Sequence, residues 1–88
     1  MAVQWDPAKA RANRLKHDVG FPDAIGAFED PLALTGVDPH ATEDRFVTIG
    51  LDFLGRLVLV SWTWRADDIR LISARLATPR ERRQYQEG

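Results

Sequence analysis

No cysteine occurs among the 88 residues, so the chain has neither a disulfide framework nor a thiolate metal site. Long apolar runs are missing too: nothing approaches the roughly 20 residues a helix needs to span a bilayer. The opening stretch MAVQWDPAKARANRLKH lacks the apolar segment and small-residue cleavage site of a secretory leader. A cytoplasmic protein with no membrane association is expected. Histidine is limited to His17 and His40, which stand apart and without a ligand pattern, so neither a metal nor a cofactor is expected. Lysine is nearly absent: Lys9 and Lys16 stand against ten arginines. Arginine offers a planar fork that can hold a phosphate or carboxylate through two hydrogen bonds. A GC-rich coding sequence would give the same bias.

What is present is apolar matter for one core. Hydrophobic residues make up 44% of the chain and include three Trp and four Phe, which argues for one folded domain over residues 1–88. The net charge of −1 hides an uneven spread. Residues 1–16 carry a net +3, residues 17–55 a net −7, and residues 56–88 a net +3. If the two ends meet in space they form one positive patch.

Local signals give the order of elements. Asp6-Pro7 starts a helix, the acid capping free N–H groups and the proline fitting the first helical position. Gly20 is expected to end it in a left-handed conformation. FPDAIGAFEDP reads as a second short helix with Phe21, Ala24, Ile25 and Phe28 on one stripe. Residues 31–44 read as loop, with a possible short strand at Leu32 to Thr35 and an exposed acidic stretch at 36–44. RFVTIGL, RLVLVSWTW and IRLISARL follow as strands joined by the short connections DFLG and RADD, an antiparallel meander. Thr78-Pro79 with Glu81 forms a capping box that opens a final helix. The expected fold is α+β: two N-terminal helices packed on a three- to four-stranded antiparallel sheet, with a short C-terminal helix.

Candidate chemistry gathers at the basic ends. Four arginines, Arg75, Arg80, Arg82 and Arg83, fall between Ser73 and Tyr85. They form either a solvated surface or an anion site. Simple alternation puts Ile69, Leu71, Ser73 and Arg75 on one strand face. Arg75 there is either paired with an acid such as Glu81 or held for an anion. Arg65 follows the Trp62-Thr63-Trp64 strand end as a turn charge or an anion contact. Trp62 and Trp64 read as core before base-stacking platforms. Lys16 and His17 close the first helix, where cations suit the dipole and where His17 could also move a proton. His40, in the acidic loop, has no partner pattern. Tyr85 shares a helix face with Glu81. Arg, Lys, His and Tyr without Cys or metal suit cleavage of RNA by its own 2′-hydroxyl. That reaction needs one proton removed, one supplied, and charge on the phosphorane held. DNA lacks the nucleophile.

WDPAKARANRLKHDVGFPDA, EDRFVTIG, VSWTWR and IRLISARLATPRERRQY, taken together, resemble the BrnT toxin family over roughly residues 5–85. The resemblance implies a RelE-like ribonuclease fold and metal-independent cleavage of mRNA that halts translation. It implies a cognate ribbon-helix-helix antitoxin of the BrnA kind, with operator DNA bound only through the antitoxin complex. It carries functional positions onto Lys16, His17, Arg65, Arg75, Glu81 and Tyr85. Arg75 and Arg65 would hold the scissile phosphate, Lys16 or His17 would assist proton removal, Tyr85 would orient or protonate, and Arg80 and Arg82 would bind flanking phosphates. Asp18 stands where the family commonly has Gly after the Lys-His pair. The rival reading is a non-catalytic module that keeps only antitoxin or operator binding.

Overall fold

The computed structural model of the chain describes residues 2–88. In chain order the elements are β1 (Val3–Gln4), α1 (Pro7–His17), α2 (Phe21–Ala24), α3 (Gly26–Glu29), β2 (Leu34–Val37), β3 (Phe46–Leu51), β4 (Leu57–Arg65), β5 (Asp68–Leu76) and α4 (Pro79–Glu87). The strands form one five-stranded sheet in the order β1-β5-β4-β3-β2.

This corrects the expected architecture. β2, β3, β4 and β5 pair antiparallel, but β1 pairs parallel with β5, so the sheet is mixed. A strand of two residues carries no periodic signal; its partners, Ile69 and Arg70, are supplied by the far end of the chain. Nor do two helices share one face of a small sheet. α1, α2 and α3 cover one face, and α4 lies on the other.

The larger core sits under the first three helices. Val58, Val60 and Trp62 of β4 and Ile69, Leu71 and Ala74 of β5 meet Val19, Phe21, Ala24 and Ala27. Burying a side chain such as Phe21 contributes about 1.5–3 kcal/mol. Thr48 is also buried here, and its Oγ1 accepts a 2.9 Å hydrogen bond from the indole Nε1 of Trp62. Gly50 lets α3 approach the sheet: a Cβ there would stand 2.9 Å from the Ala27 carbonyl oxygen. The smaller cluster on the opposite face holds Ile49, Leu57 and Leu59, with Val47, Ala77 and Tyr85 packed against it.

Two local features position the functional side chains. The first is the end of α1. Asp6 caps its start by accepting from the Ala8 N–H at 3.0 Å, and Asp18, not Gly20, takes the left-handed conformation at its end, with φ 56°. Aspartate is one of the few residues besides glycine that visits this region routinely. The second is a bulge. β5 pairs Ser73 with Ser61 but Leu71 with Trp62, leaving Ile72 as the extra residue. A bulge turns the strand's side chains by one position. The core face therefore passes from Ile69 and Leu71 to Ala74, and Arg75, expected alongside Leu71, stands on the opposite face with Leu59 as its cross-strand partner.

Candidate active site

Arg75 reaches its place because of that bulge. On the face away from the main core it meets α4, whose first turn is fixed by the capping box. Thr78 Oγ1 accepts from the Glu81 N–H at 3.2 Å, and Glu81 Oε1 accepts from the Thr78 N–H at 2.9 Å. The same Glu81 carboxylate takes both ends of the arginine fork, from Arg75 Nη1 at 2.8 Å and Nη2 at 2.9 Å. Side-chain exposure is 36% for Arg75 and 17% for Glu81. The hydrogen bonds from Arg75 hold the Glu81 carboxyl below the usual carboxylate range, against the opposing effect of burial. The same hydrogen bonds raise the Arg75 guanidinium.

The pair stands at a cleft of about 510 Å³ between this sheet face and α4. Val47, Ile49, Leu59 and Ser61 line it from the sheet. Arg80 and Gln84 line it from α4, and Asp38, Pro39 and His40 from the loop before β3. An Asx turn shapes that loop, with Asp38 Oδ1 accepting from the His40 N–H at 2.9 Å. The acidic loop therefore forms a wall of the cleft, and His40, which has no partner pattern in the sequence, lines the same cavity as Arg75 and Arg80.

The other expected site residues do not join this cleft. Arg65 ends β4 opposite Asp68, whereas Arg75 pairs with Leu59. Leu59 and Arg65 are six residues apart on β4, a span of about 20 Å at ~3.3 Å per residue. Arg65 therefore stands at the far end of β4 and is not among the residues lining the cleft. Lys16 and His17 line a separate groove of about 240 Å³ with Lys9, Ala12, Asn13, Ile72 and Ser73. The two basic ends of the chain thus lie on opposite sides of the sheet and do not merge into one patch. Tyr85 is absent from the cleft lining; its hydroxyl donates to Asp30 Oδ2 at 2.7 Å, tying α4 to the loop before β2. Arg82 is exposed on α4 and does not line the cleft. Trp62 is buried, while Trp64 keeps 47% of its surface exposed.

One residue that matters to the site carried no sequence signal. Asn13 is buried on α1, and its side chain acts as a short neighbouring strand for β5. Its Oδ1 accepts from the Ala74 N–H at 3.0 Å, and its Nδ2 donates to the Ala74 carbonyl at 2.9 Å and the Val19 carbonyl at 3.0 Å. This fixes β5 directly beside Arg75.

The model of the family described as the ribonuclease toxin BrnT of the type II toxin–antitoxin system matches residues 5–81. The chain belongs to this BrnT family. The match covers α1, β5 and the Arg75–Glu81 pair, and so every cleft-lining residue except Gln84. The chain is also similar in structure to the Brucella abortus ribonuclease toxin BrnT, known from a crystal structure at 1.1 Å resolution. The TM-score is 0.67 at 26% sequence identity, over 89% of this chain and 97% of the Brucella chain. No curated protein matches the sequence. Among the described residues no helix is long and apolar enough to cross a membrane.

Proposed function

We propose that this BrnT-family chain is an endoribonuclease that cleaves mRNA in the cytoplasm by attack of the substrate's own 2′-hydroxyl. It thereby inhibits translation and is neutralised by a cognate ribbon-helix-helix antitoxin. The observation that carries the reading is the Arg75 fork closed on the Glu81 carboxylate at the cleft. A guanidinium that holds a carboxylate through two parallel hydrogen bonds has the geometry to hold two phosphoryl oxygens.

In this reading the scissile phosphate displaces Glu81 from Arg75. Two consequences follow from one exchange. Arg75, helped by Arg80, meets the charge that builds on the phosphorane, an effect commonly worth about 10²–10³-fold per donor. Glu81, relieved of its partner, regains the basicity that Arg75 had suppressed and takes the proton of the 2′-hydroxyl. The 2′-oxygen bonds to phosphorus, the bond to the 5′-oxygen breaks, and that oxygen takes a proton, which the reading assigns to His40, the histidine of the cleft lining. The products are a 2′,3′-cyclic phosphate and a 5′-hydroxyl. Guanidinium groups supply the positive charge, so the reading calls for no metal. The apolar floor of Val47, Ile49 and Leu59 offers a surface for an unstacked base.

End-group analysis of RNA incubated with the purified chain tests this. Cyclic phosphate and 5′-hydroxyl ends are expected. Intact RNA, or products with 3′-hydroxyl ends, would contradict it. Intact RNA would favour the rival reading of a binding module in which Glu81 keeps Arg75 permanently occupied.

A further inference from the structure

The only two lysines of the chain line one groove. Lys9 and Lys16 lie seven residues apart on α1, about 10 Å along the axis at ~1.5 Å per residue, and both line the 240 Å³ groove between α1 and β5. His17 and Asn13 from the helix, and Ile72 and Ser73 from the bulged part of β5, complete the polar and apolar walls. No acidic side chain is among them, whereas the Arg75 cleft sets Asp38 and Glu81 against Arg75 and Arg80. Neither lysine has an ion-pair partner among the described residues.

Helix stability accounts for only half of this arrangement. Lys16 and His17 sit in the last turn of α1, where cations complement the dipole. Lys9 sits in the first turn, where the N-cap carboxylate of Asp6 complements the positive end of the dipole and a cation does not. A cation kept where the helix disfavours it, about 10 Å from a second one along an acid-free groove, serves a polyanion better than it serves the helix.

We propose that this groove binds the sugar–phosphate backbone of a single RNA strand outside the scissile link. Lys9 and Lys16 each take a phosphate, and the Ser73 hydroxyl and His17 face the strand between them. The proposal rests on the ribonuclease reading for the identity of its ligand. The groove runs between α1 and the bulged part of β5. Its position also fits: Ser73 and Arg75 are two residues apart on β5, about 7 Å along the strand. β1 pairs with β5 only at Ile69 and Arg70; beyond it no strand lies along the outer edge of β5, and at Ala74 the Asn13 side chain of α1 occupies that edge.

The test uses a 2′-O-methyl RNA oligonucleotide, which 2′-hydroxyl attack cannot cut. Its binding to the full chain is followed by fluorescence anisotropy over a series of salt concentrations. Both lysines are exposed, so a Lys9→Ala/Lys16→Ala variant keeps the fold. The variant should bind about tenfold or more weakly near 0.1 M salt. Its slope of log affinity against log salt should shrink by about 1.4, ~0.7 for each single-strand phosphate that a lysine no longer neutralises. Unchanged affinity and slope would overturn the proposal. A preference for duplex DNA over RNA that disappears in the variant would overturn the assignment to RNA. Because the probe is never cut, failure of the wild type to cleave RNA would sink the ribonuclease reading and leave this measurement standing.

Discussion

Glu81 is bound to Arg75 at both oxygens, and one of those oxygens also accepts the Thr78 N–H that opens α4. One carboxylate therefore caps a helix and closes an arginine fork. α4 has no fully buried residue, so such polar contacts are a large part of what holds it on the sheet. Glu81→Gln keeps the shape and the capping acceptor but loses the charge. In the proposed mechanism it also loses the base. RNA cleavage should fall by about 10²–10⁴-fold, while an uncut oligonucleotide binds at least as tightly, because Arg75 is no longer neutralised. Single-turnover rates and anisotropy on the same preparation separate the two effects. Undiminished cleavage would place the base elsewhere.

Acid should loosen α4 before it unfolds the rest. Burial acts to raise the Asp30 carboxyl, but hydrogen bonds from the Leu51 and Leu32 N–H groups and the Tyr85 hydroxyl leave it lowered. The Glu81 carboxyl is lowered chiefly by Arg75. Both acids bind protons less readily in the folded chain than at their ordinary values of 3.8 and 4.5. Their contribution to stability is complete above those values and is lost as pH falls through them toward the depressed folded ones. Thermal melts between pH 7 and 3 should show this loss, and Glu81→Gln should make it shallower.

Tyr85 is bonded to Asp30 and does not line the cleft, so the proposed mechanism gives it an anchoring role. Its hydrogen bond to Asp30 raises the phenol above its ordinary value and keeps it neutral. Tyr85→Phe should speed amide hydrogen exchange in α4 while RNA cleavage stays within a few-fold of the wild type. A hundredfold loss of cleavage with unchanged exchange would return Tyr85 to a chemical role.

Asn13 carries three buried hydrogen bonds across α1, the segment after it and β5. Asn13→Ala leaves buried backbone groups of Ala74 and Val19 unpaired, at about 1–3 kcal/mol each. The melting temperature should drop by more than about 10 °C. Asn13→Asp should cost at least as much, since it turns an oxygen toward two carbonyls.

Local signals in the sequence reached the structure well, and non-local ones did not. Asp6 before Pro7, and Thr78 with Glu81, form the caps that their spacing calls for, because a cap is made by residues within one turn. The runs at 45–51, 56–64 and 69–76 are strands for the same reason. The bulge at Ile72 was illegible: IRLISARL alternates without interruption, and only pairing with β4 shows the slip that moves Arg75 to the other face. β1 exists only because Ile69 and Arg70 lie beside it. Residue types and caps are local and readable, whereas which candidates share a cavity depends on the sheet. Arg75, Glu81 and Arg80 share one cleft, but Lys16 and His17 lie in a different groove and Arg65 at the far end of β4. His40 and Lys9 gain their places only from tertiary structure.

The most direct test of the cleft as the cleaving site compares Arg75→Ala with Arg65→Ala on one defined RNA carrying a single ribose in a 2′-deoxy background. The wild type should cut at that ribose, Arg75→Ala should lose about 10²-fold or more of the rate, and Arg65→Ala, about 20 Å away along the sheet, should stay within a few-fold. An Arg75→Ala variant that cuts as fast as the wild type, or an Arg65→Ala variant that loses as much as Arg75→Ala, would contradict the account.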